Sequence, residues 1–400
     1  MLQNSDEFEI VIKTHAGLEE VLADEVTVCG AIEPKIITRG VKFNGNRELL
    51  YRCCLKSQTA MNVLVTVAEF EINSMDDLYQ KTLDIAWEKL FSLDKTFAIK
   101  GVVYADYVKN TNFPALRVKD AIADRFLKQF KERPNVQKDN PDILVQLLLR
   151  DKQVTLSLDA GGNPLNQRGY RMSGLEAPLN ESLAAGILKL AGWDMKTDLY
   201  DPFCGSGTLI TEAAIMATSK APNATRKYFC LKNFKGYNAK LWYELIDEYR
   251  ENEIPLECNF YAGDHYRGAV ETTRKHWIKL GMPLNKLELK NNDFKSLEPA
   301  PGKKFLLTNP PYGKRLTAKN LPWVYREIGN MLKHKFSGNK AAVFSGSEEG
   351  MKNVGLKPLK KIKLFNGPIE SKLHLFEIYE GSRKSRPKPN KHKSSYQKTK

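Results

Sequence analysis

The stretch that most constrains the fold is Asp201-Pro202-Phe203-Cys204-Gly205-Ser206-Gly207-Thr208-Leu209. It follows the apolar pair Leu199-Tyr200 and precedes a helical pattern at residues 209–217, which indicates a strand, a glycine turn and a helix N-terminus. Such a turn brings backbone N–H groups and the positive end of the helix dipole up to a ligand. The stretch therefore predicts an α/β domain with a cofactor cradle.

The residue types in this cradle argue against phosphate binding. A Walker loop needs Gly-Lys-Ser/Thr, whereas Gly207 is followed by Thr208 and Leu209. A dinucleotide-binding motif needs a third glycine, which is missing here, and an acid opens the motif instead. An acid at a strand end suits a cationic ligand, such as the ammonium group of a methionine moiety. We expect cofactor contacts from Asp201, Phe203, Gly205, Ser206 and Gly207.

Strands and helices alternate after the cradle. Apolar strands begin near residues 199, 260, 287, 305 and 341, which predicts a parallel, doubly wound sheet with right-handed crossovers. Asp264 ends the second strand, where an acid can accept hydrogen bonds from both ribose hydroxyls of a nucleoside. Asp293 and Phe294 follow the third strand, where a carboxylate and an aromatic ring can meet an adenine. Acids at three successive strand ends predict one nucleoside-binding edge.

The second diagnostic stretch is Asn309-Pro310-Pro311-Tyr312, which follows the apolar strand Phe305-Leu306-Leu307. An exocyclic amine of a nucleobase is a poor nucleophile because its lone pair is delocalised into the ring. The side-chain carbonyl of Asn309 and the backbone carbonyl of Pro310 can accept hydrogen bonds from that amine, while Tyr312 stacks on the base. A methyl group can then pass in line from a sulfonium, without a strong base. We predict that Asn309, Pro310 and Tyr312 form the catalytic clamp.

Two features depart from simple alternation. The interval from Asp201 to Asp264 exceeds the ~20 residues of a simple unit, so we expect residues 219–258, with a helical pattern around Trp242, to form an insertion near the site. Near the end, residues 361–365 and 373–379 predict an antiparallel hairpin at the sheet edge, with a turn at Asn366-Gly367. A parallel sheet with this ending resembles the class I S-adenosylmethionine methyltransferases. The resemblance implies a Rossmann-like, mostly parallel seven-stranded sheet and S-adenosylmethionine as cofactor.

Composition narrows the setting. No apolar run approaches the ~18 residues of a membrane helix, and the first residues show no signal peptide, so we expect a cytoplasmic protein without membrane contact. The six cysteines and six histidines have no metal-ligand spacing, so we expect no metal. The net charge is +15, and the last twenty residues hold eight Lys or Arg and no acid. This excess of positive charge indicates either a polyanionic partner such as nucleic acid or a tail that only keeps the protein in solution. We expect the tail, residues 381–400, to be disordered.

The N-terminal half indicates two smaller α+β units. Residues 1–60 mix short strands with an amphipathic helical pattern at 17–29. Further helical patterns predict helices at 75–91 and 118–131, and a helix at 178–191 that leads into the C-terminal half. From residue 61 to 171 the order of Val118-Lys119-Asp120-Ala121-Ile122, Ser157-Leu158-Asp159-Ala160-Gly161-Gly162 and Leu165-Asn166-Gln167-Arg168-Gly169-Tyr170-Arg171 resembles the THUMP domain of RNA-modifying enzymes. Candidate RNA contacts in this half are Lys109, Lys119, Arg125, Arg168 and Arg171.

Together, the cradle and the stretch Asn309-Pro310-Pro311-Tyr312-Gly313-Lys314-Arg315-Leu316 resemble the ribosomal RNA large subunit methyltransferase L family. The resemblance implies a ferredoxin-like unit at 1–60, a THUMP domain at 61–171 and a class I methyltransferase domain at 172–380. It also implies methylation of a guanine N2 in 23S rRNA. We expect the protein to be a monomer. Some family members carry a second methyltransferase domain, and we expect one methylation here. Tyr266 and His276 replace an acid and an asparagine that are usual in the family; we expect packing or surface roles for His265 and His276.

Other functions share part of this pattern. A DNA adenine N6-methyltransferase uses the same Asn-Pro-Pro-Tyr logic but leaves the THUMP-like half unexplained. A protein glutamine methyltransferase uses a similar clamp, against which the basic tail argues. A non-catalytic RNA-binding assembly factor would have no need of intact Asp201, Gly205, Gly207, Asn309 and Tyr312.

Overall fold

A computed structural model of the chain describes residues 7–171, 179–312 and 320–380. Two predictions lie outside the described residues: the disordered tail at 381–400 and the Gly313-Lys314-Arg315-Leu316 motif. No helix in the described part of the chain is long and apolar enough to cross a membrane.

The N-terminal part of the chain forms a mixed sheet with helices packed against it. Its elements are β1 (Phe8–Lys13), α1 (Glu19–Val28), β2 (Lys35–Ile37), β3 (Gly40–Gly45), α2 (Arg47–Lys56), β4 (Asn62–Glu71), α3 (Met75–Asp84), β5 (Phe97–Tyr104), α4 (Phe113–Phe130), β6 (Ile143–Arg150) and β7 (Gln153–Asp159). The strand order is β2-β3-β1-β4-β7-β6-β5. Since β4 pairs with β1 on one side and β7 on the other, one continuous sheet spans the two units predicted for this half.

Two helices of this half differ from their predicted lengths. The helix predicted for 75–91 ends at Asp84, and a 3-10 turn at Trp87–Lys89 follows it. Trp87 is fully buried and its indole N–H donates to the Thr82 carbonyl oxygen at 2.8 Å, so the side chain satisfies a carbonyl of the last helical turn. Helix α4 begins at Phe113 instead of Val118, with Pro114 in its first turn, where the missing N–H has no helical partner to lose.

The C-terminal part forms the predicted doubly wound sheet. Its elements are α5 (Glu181–Ala191), β8 (Asp198–Asp201), α6 (Thr208–Ala217), α7 (Ala239–Glu251), β9 (Phe260–Asp264), α8 (Arg267–Lys279), β10 (Leu287–Asn291), β11 (Lys304–Thr308), α9 (Leu321–Lys335), β12 (Lys340–Ser345), α10 (Glu348–Asn353), β13 (Lys360–Asn366) and β14 (Ile369–Glu377). The strand order is β10-β9-β8-β11-β12-β14-β13. All neighbours from β10 to β12 are parallel, and β14 is antiparallel to both β12 and β13.

This topology confirms the predicted fold class, with two local corrections. Helix α5 begins at Glu181, after an Asn180 cap whose side-chain oxygen accepts from the Ser182 and Leu183 amides. The hairpin turn lies at Gly367-Pro368, one residue later than predicted, because Asn366 still pairs with Ile369. The order of β9, β8 and β11 reverses direction at β8, which places a crevice beyond the carboxyl ends of β8 and β11.

The predicted insertion lies elsewhere than expected. Residues 219–258 were predicted to lie near the cofactor site, yet none of them lines the cavity described below. Trp242, Leu245 and Ile246 of α7 are instead buried in the same apolar cluster as the N-terminal sheet. Arg52 of α2 makes a bidentate ion pair with Glu248 of α7 at 2.8 Å. The insertion therefore attaches the C-terminal half to the N-terminal half.

A buried ion pair also links the two halves. The Arg168 and Glu212 side chains are fully buried, and the guanidinium Nε lies 2.9 Å from a Glu212 carboxylate oxygen. The same carboxylate accepts from the Tyr170 hydroxyl, and Arg168 donates to the backbone carbonyl of Gln58. The prediction that Arg168 contacts RNA is therefore wrong, because its side chain is enclosed by protein.

Candidate active site

The crevice at the switch point holds a cavity of about 670 Å³. Eight of the predicted site residues contribute to its lining: Asp201, Phe203, Gly205, Ser206, Asp264, Asp293, Phe294 and Asn309. Three other predicted site residues, Gly207, Pro310 and Tyr312, lie beside the cavity without lining it. The carboxyl ends of β8, β9, β10 and β11 thus bring most of the predicted residues together.

The cradle is shaped by two glycines and by helix α8. Gly205 and Gly207 have φ angles of 53° and 75°, which L-residues rarely adopt. A Cβ on Gly207 would lie 2.4 Å from the Thr273 side chain, so the loop packs directly against α8. The Thr273 hydroxyl donates to the Gly205 carbonyl oxygen at 3.0 Å, and His276 Nδ1 lies 2.9 Å from the Ser206 carbonyl oxygen. Gly207 therefore shapes the cradle by allowing the loop to pack closely against α8, on the side away from the cavity.

His276 is a packing residue, as its sequence context suggested. Its side chain is buried, its ring meets Tyr170 edge-on at 5.6 Å, and burial lowers its pKa. The neutral ring is thus the form in which His276 contacts the Ser206 carbonyl. Sequence alone gave no signal for Thr273, which reaches the cradle from the middle of α8.

Asp201 lies at the floor of the cavity. It is 1% exposed, and its Oδ1 accepts from the Thr308 hydroxyl at 2.6 Å and from the Phe203 amide at 3.2 Å. Burial raises the pKa of this carboxyl to about 7 because the charged form loses its hydration. The carboxyl therefore joins β8 to β11 and, when ionised, gives the cavity a negative floor.

Asp264 is engaged by the backbone of the loops around it. One carboxylate oxygen accepts from the Gly205 amide at 3.0 Å, and the other accepts from the Tyr266 amide at 2.9 Å. These bonds connect the end of β9 to the cradle. Because each carboxylate oxygen has more than one acceptor site, Asp264 retains capacity for ligand hydroxyls.

The third strand end supplies an aromatic wall. The rings of Phe203 and Phe294 lie 4.6 Å apart, and Phe294 is nearly buried. The Asp293 side chain caps the short turn that carries Phe294, accepting from the Lys295 amide at 3.0 Å, and remains about half exposed. A planar ligand group can therefore lie against the two rings with Asp293 at its edge.

The clamp residues occupy the end of β11. Asn309 lines the cavity, and its side-chain Oδ1 is buried and has no hydrogen-bond partner among the described residues. A buried acceptor without a partner is costly in a folded protein, so it marks a position that a ligand donor can satisfy. Pro311 also lines the cavity. Asn309 is therefore the strongest candidate for contact with an incoming amine.

Tyr312 is held on the terminal hairpin. Its hydroxyl accepts from the Asn366 side-chain amide at 2.8 Å. A Cβ on Gly346 would lie 2.8 Å from the Tyr312 ring, so the absence of a side chain at the end of β12 makes room for the ring. The hairpin thus fixes the ring at the cavity's edge.

Several lining residues were not predicted: Leu179, Pro202, Cys204, His265, Tyr266, Thr208, Leu209, Ala269, Pro311 and Val324. Pro202, Cys204, Thr208 and Leu209 belong to the cradle and are neighbours in sequence of predicted site residues, whereas Val324 belongs to α9.

Among the described residues, no group of three His, Cys, Asp or Glu could hold a metal ion. Arg171 and Arg125, for which we predicted RNA contacts, pair with Glu181 and Glu88 and keep about a quarter of their side-chain surface exposed, so their contact with RNA stays a prediction.

Three known families match successive parts of the chain. Residues 168–374 match the family described as RMKL-like, methyltransferase domain. Residues 73–159 match the THUMP domain, and residues 9–64 match the RlmL ferredoxin-like domain.

Curated relatives match most of the chain but are much longer. A protein of Syntrophotalea carbinolica named ribosomal RNA large subunit methyltransferase K/L is 37% identical, over 91% of this chain and 53% of its own length. A protein of the same name from Psychromonas ingrahamii is 39% identical, over 92% of this chain and 50% of its own length. The chain therefore spans about half the length of these relatives.

Solved structures share the whole arrangement. The crystal structure of SMU.472 in complex with SAH has a TM-score of 0.85 and 25% identity, covering 94% of this chain and all of that one. A predicted N6-adenine-specific DNA methylase from Listeria monocytogenes has a TM-score of 0.83 and 26% identity, covering 94% and 97%.

Proposed function

The chain belongs to the family of proteins with an RMKL-like methyltransferase domain, and we propose that it transfers a methyl group from S-adenosylmethionine to the exocyclic N2 amine of a guanine in 23S rRNA. The observation that carries the proposal is the buried side-chain oxygen of Asn309, a residue that lines the cavity; this oxygen has no hydrogen-bond partner in the described part of the chain. This oxygen can accept a hydrogen bond from the amine of a base, and Asn309 lines the same cavity as the residues proposed to bind the cofactor.

The cavity residues suit S-adenosylmethionine. Ionised Asp201 provides negative charge for the ammonium group of the cofactor. Asp264, at the end of β9, offers its carboxylate oxygens as acceptors to the ribose hydroxyls. The Phe203 and Phe294 rings offer the adenine an apolar wall, with Asp293 near its amino group. When bound, the cofactor supplies an electrophilic methyl group on a sulfonium. The structural neighbour crystallised with SAH, the demethylated cofactor product, has the same fold across 94% of this chain.

The chain's own residues account for the amine chemistry. The Asn309 side-chain oxygen and the Pro310 backbone carbonyl accept hydrogen bonds from the N–H groups of the guanine N2 amine. These bonds orient the nitrogen lone pair and stabilise the positive charge that develops on nitrogen during transfer. Tyr312 stacks on the base, which must leave its pair to enter the cavity. The proton leaves to solvent afterwards, so no strong base is required.

Three observations support RNA as the substrate. Residues 73–159 match the THUMP domain, two relatives carry the name ribosomal RNA large subunit methyltransferase K/L, and the net charge of +15 favours a polyanion. We also propose that the protein acts as a monomer in the cytoplasm. A chain that only binds RNA would have no use for the Asn309 acceptor, which no described residue satisfies.

Adenine N6 methylation is the second candidate. The structural neighbour from Listeria monocytogenes is named a predicted N6-adenine-specific DNA methylase, and its fold covers 94% of this chain. An adenine amine presents the same two N–H donors to Asn309 and Pro310. The sequence match to the THUMP domain favours RNA over DNA.

Nucleoside analysis separates the candidates. We propose incubating the protein with undermodified 23S rRNA and, separately, duplex DNA, each with isotopically labelled S-adenosylmethionine. The nucleosides are then identified by mass spectrometry. We expect label in N2-methylguanosine from rRNA. Label in N6-methyladenosine from rRNA, or in N6-methyldeoxyadenosine from DNA, would contradict the guanine assignment. The absence of label from both nucleic acids would contradict the proposed activity.

A further inference from the structure

Trp323 is unlike the other tryptophans of this protein. Trp87, Trp193, Trp242 and Trp277 are at most 5% exposed, whereas Trp323 is 44% exposed. Single exposed apolar residues are common and need no explanation by themselves. The position and surroundings of Trp323 decide whether it has a role.

Trp323 lies at the rim of the cavity. It belongs to the first turn of α9, and the next residue, Val324, lines the cavity. Across the rim, Lys295 directly follows Phe294, which also lines the cavity. An exposed indole and an ammonium group thus lie one residue outside the lining on two different elements.

The two side chains are already in contact. The Lys295 ammonium lies 4.8 Å from the centroid of the Trp323 ring, within the range of a cation–π interaction. It also lies 3.4 Å from an Asp293 carboxylate oxygen. We call this pair the Trp323–Lys295 platform.

A third side chain holds the platform in place. Lys335, near the end of α9, donates to the backbone carbonyls of Lys295 and Leu297 at 2.8 Å and pairs with Glu298 at 2.6 Å. These bonds attach the short turn that carries Lys295 to the same helix that carries Trp323. The platform is therefore positioned before any ligand arrives, which lowers the entropic cost of binding.

We propose that the Trp323–Lys295 platform binds the RNA nucleotide next to the methylated guanine, a role that rests on the proposed function. A base flipped into the cavity leaves its neighbours unstacked, and an indole offers any base a flat apolar surface. The ammonium at its side neutralises the adjacent phosphate. The simpler alternative is an indole that only covers the aliphatic stem of Lys295.

Steady-state kinetics separate these roles. Trp323→Ala should raise the KM for rRNA roughly five- to a hundredfold, the effect of losing one base–aromatic stack. The rate at saturating RNA and the affinity for SAH should change little, because the platform lies outside the cavity lining. Trp323→Phe should retain most of the RNA affinity, and its circular dichroism controls for folding. Tyr243→Ala is the matched control, since Tyr243 is 56% exposed on α7 and should leave the KM unchanged.

Two further readouts test the platform directly. Lys295→Gln should reduce the log–log salt slope of RNA binding by about 0.7, the effect of one phosphate contact on a single strand. Adding rRNA should quench the exposed Trp323 fluorescence in the wild type and leave Trp323→Phe nearly unaffected. An unchanged KM in Trp323→Ala, or quenching that persists in Trp323→Phe, would overturn the platform. Failure of the wild type to methylate any RNA would instead reject the proposed function.

Discussion

At the scale of single residues, two polar side chains line the cavity at the ends of β8 and β11. Asp201 accepts from the Thr308 hydroxyl, and the buried Asn309 oxygen has no partner among the described residues. The order of residue types around Asp201 and Asn309 predicted an acid and an amide at the ends of β8 and β11, and the cavity contains both. The sequence could not show that Asp201 would share a hydrogen bond with Thr308, because that contact joins residues 107 positions apart. Nor could it show that Asn366 would hold Tyr312.

The titration of Asp201 gives the first prediction. Its pKa of about 7 lies well above the ordinary value for Asp, so the carboxyl is protonated below pH 7 and ionised above it. If the ionised form attracts the cofactor ammonium, affinity for SAH should fall about tenfold per pH unit below pH 7. Calorimetry between pH 5.5 and 7.5 measures this. Asp201→Asn, which keeps an acceptor for Thr308, should bind more weakly at pH 7.5 and lose the dependence. A pH-independent affinity in the wild type would remove Asp201 from the ammonium site.

The same shift has an opposite effect on folding. Between about pH 4 and 7 the native state holds a proton on Asp201 that the unfolded chain has already lost. The free energy of unfolding contributed by this group therefore falls as the pH rises through that window. Asp201→Asn should remove this contribution, which urea titrations at pH 5 and 7.5 would detect.

At the scale of elements, periodicity predicted the strands well because each lies in a short apolar run. The parallel strands β8 to β12 and the antiparallel hairpin follow from alternation and turn residues. Helix ends were less predictable, since α3 ends at Asp84, where the buried Trp87 indole donates to the Thr82 carbonyl of the last turn. The insertion was misplaced because its apolar face, around Trp242, packs against a distant part of the chain. Periodicity identifies an apolar face and leaves its partner undetermined.

The contact between the cradle and α8 supports a prediction at this scale. Gly205 and Gly207 share a positive φ, but only at Gly207 would an added Cβ collide with Thr273; a Cβ on Gly205 meets nothing within 4 Å. Gly205→Ala should therefore cost about 1 to 2 kcal/mol of stability from backbone strain. Gly207→Ala should cost about 1 to 3 kcal/mol more, because Thr273 or the loop must shift. Urea unfolding of both variants checks this, and equal losses would show that α8 gives way freely.

At the scale of the whole molecule, the two sheets are joined by contacts that local sequence patterns do not predict. The insertion, the Arg52–Glu248 pair and the buried Arg168–Glu212 pair all connect residues far apart in the chain. The order of motifs predicted which units are present. The attachment of the halves depends on apolar packing and ion pairs between residues distant in sequence, and for that reason Arg168 was misassigned to an RNA-binding surface.

The buried Arg168–Glu212 pair gives a prediction about the stability of the protein. Glu212→Gln should leave Arg168 as an uncompensated buried charge and cost about 3 to 5 kcal/mol. The loss should appear in a urea titration as a lower midpoint. Glu244→Gln is the matched control: its partner Lys240 lies 3.8 Å away on the exposed surface of α7, so the cost should stay below about 1 kcal/mol. Similar midpoints for both variants would mean that the halves tolerate an unpaired charge at their junction.

The most direct test of the proposed function compares methyl transfer with cofactor binding at Asn309. In single-turnover reactions on undermodified 23S rRNA, Asn309→Ala should form N2-methylguanosine roughly a hundredfold or more slowly than the wild type, because one pre-aimed acceptor is lost. Its affinity for SAH should stay close to the wild-type value. Asn330→Ala, on α9 with its amide bonded to Glu327, should match the wild type in both measurements. An Asn309→Ala variant that methylates at the wild-type rate would contradict the amine clamp.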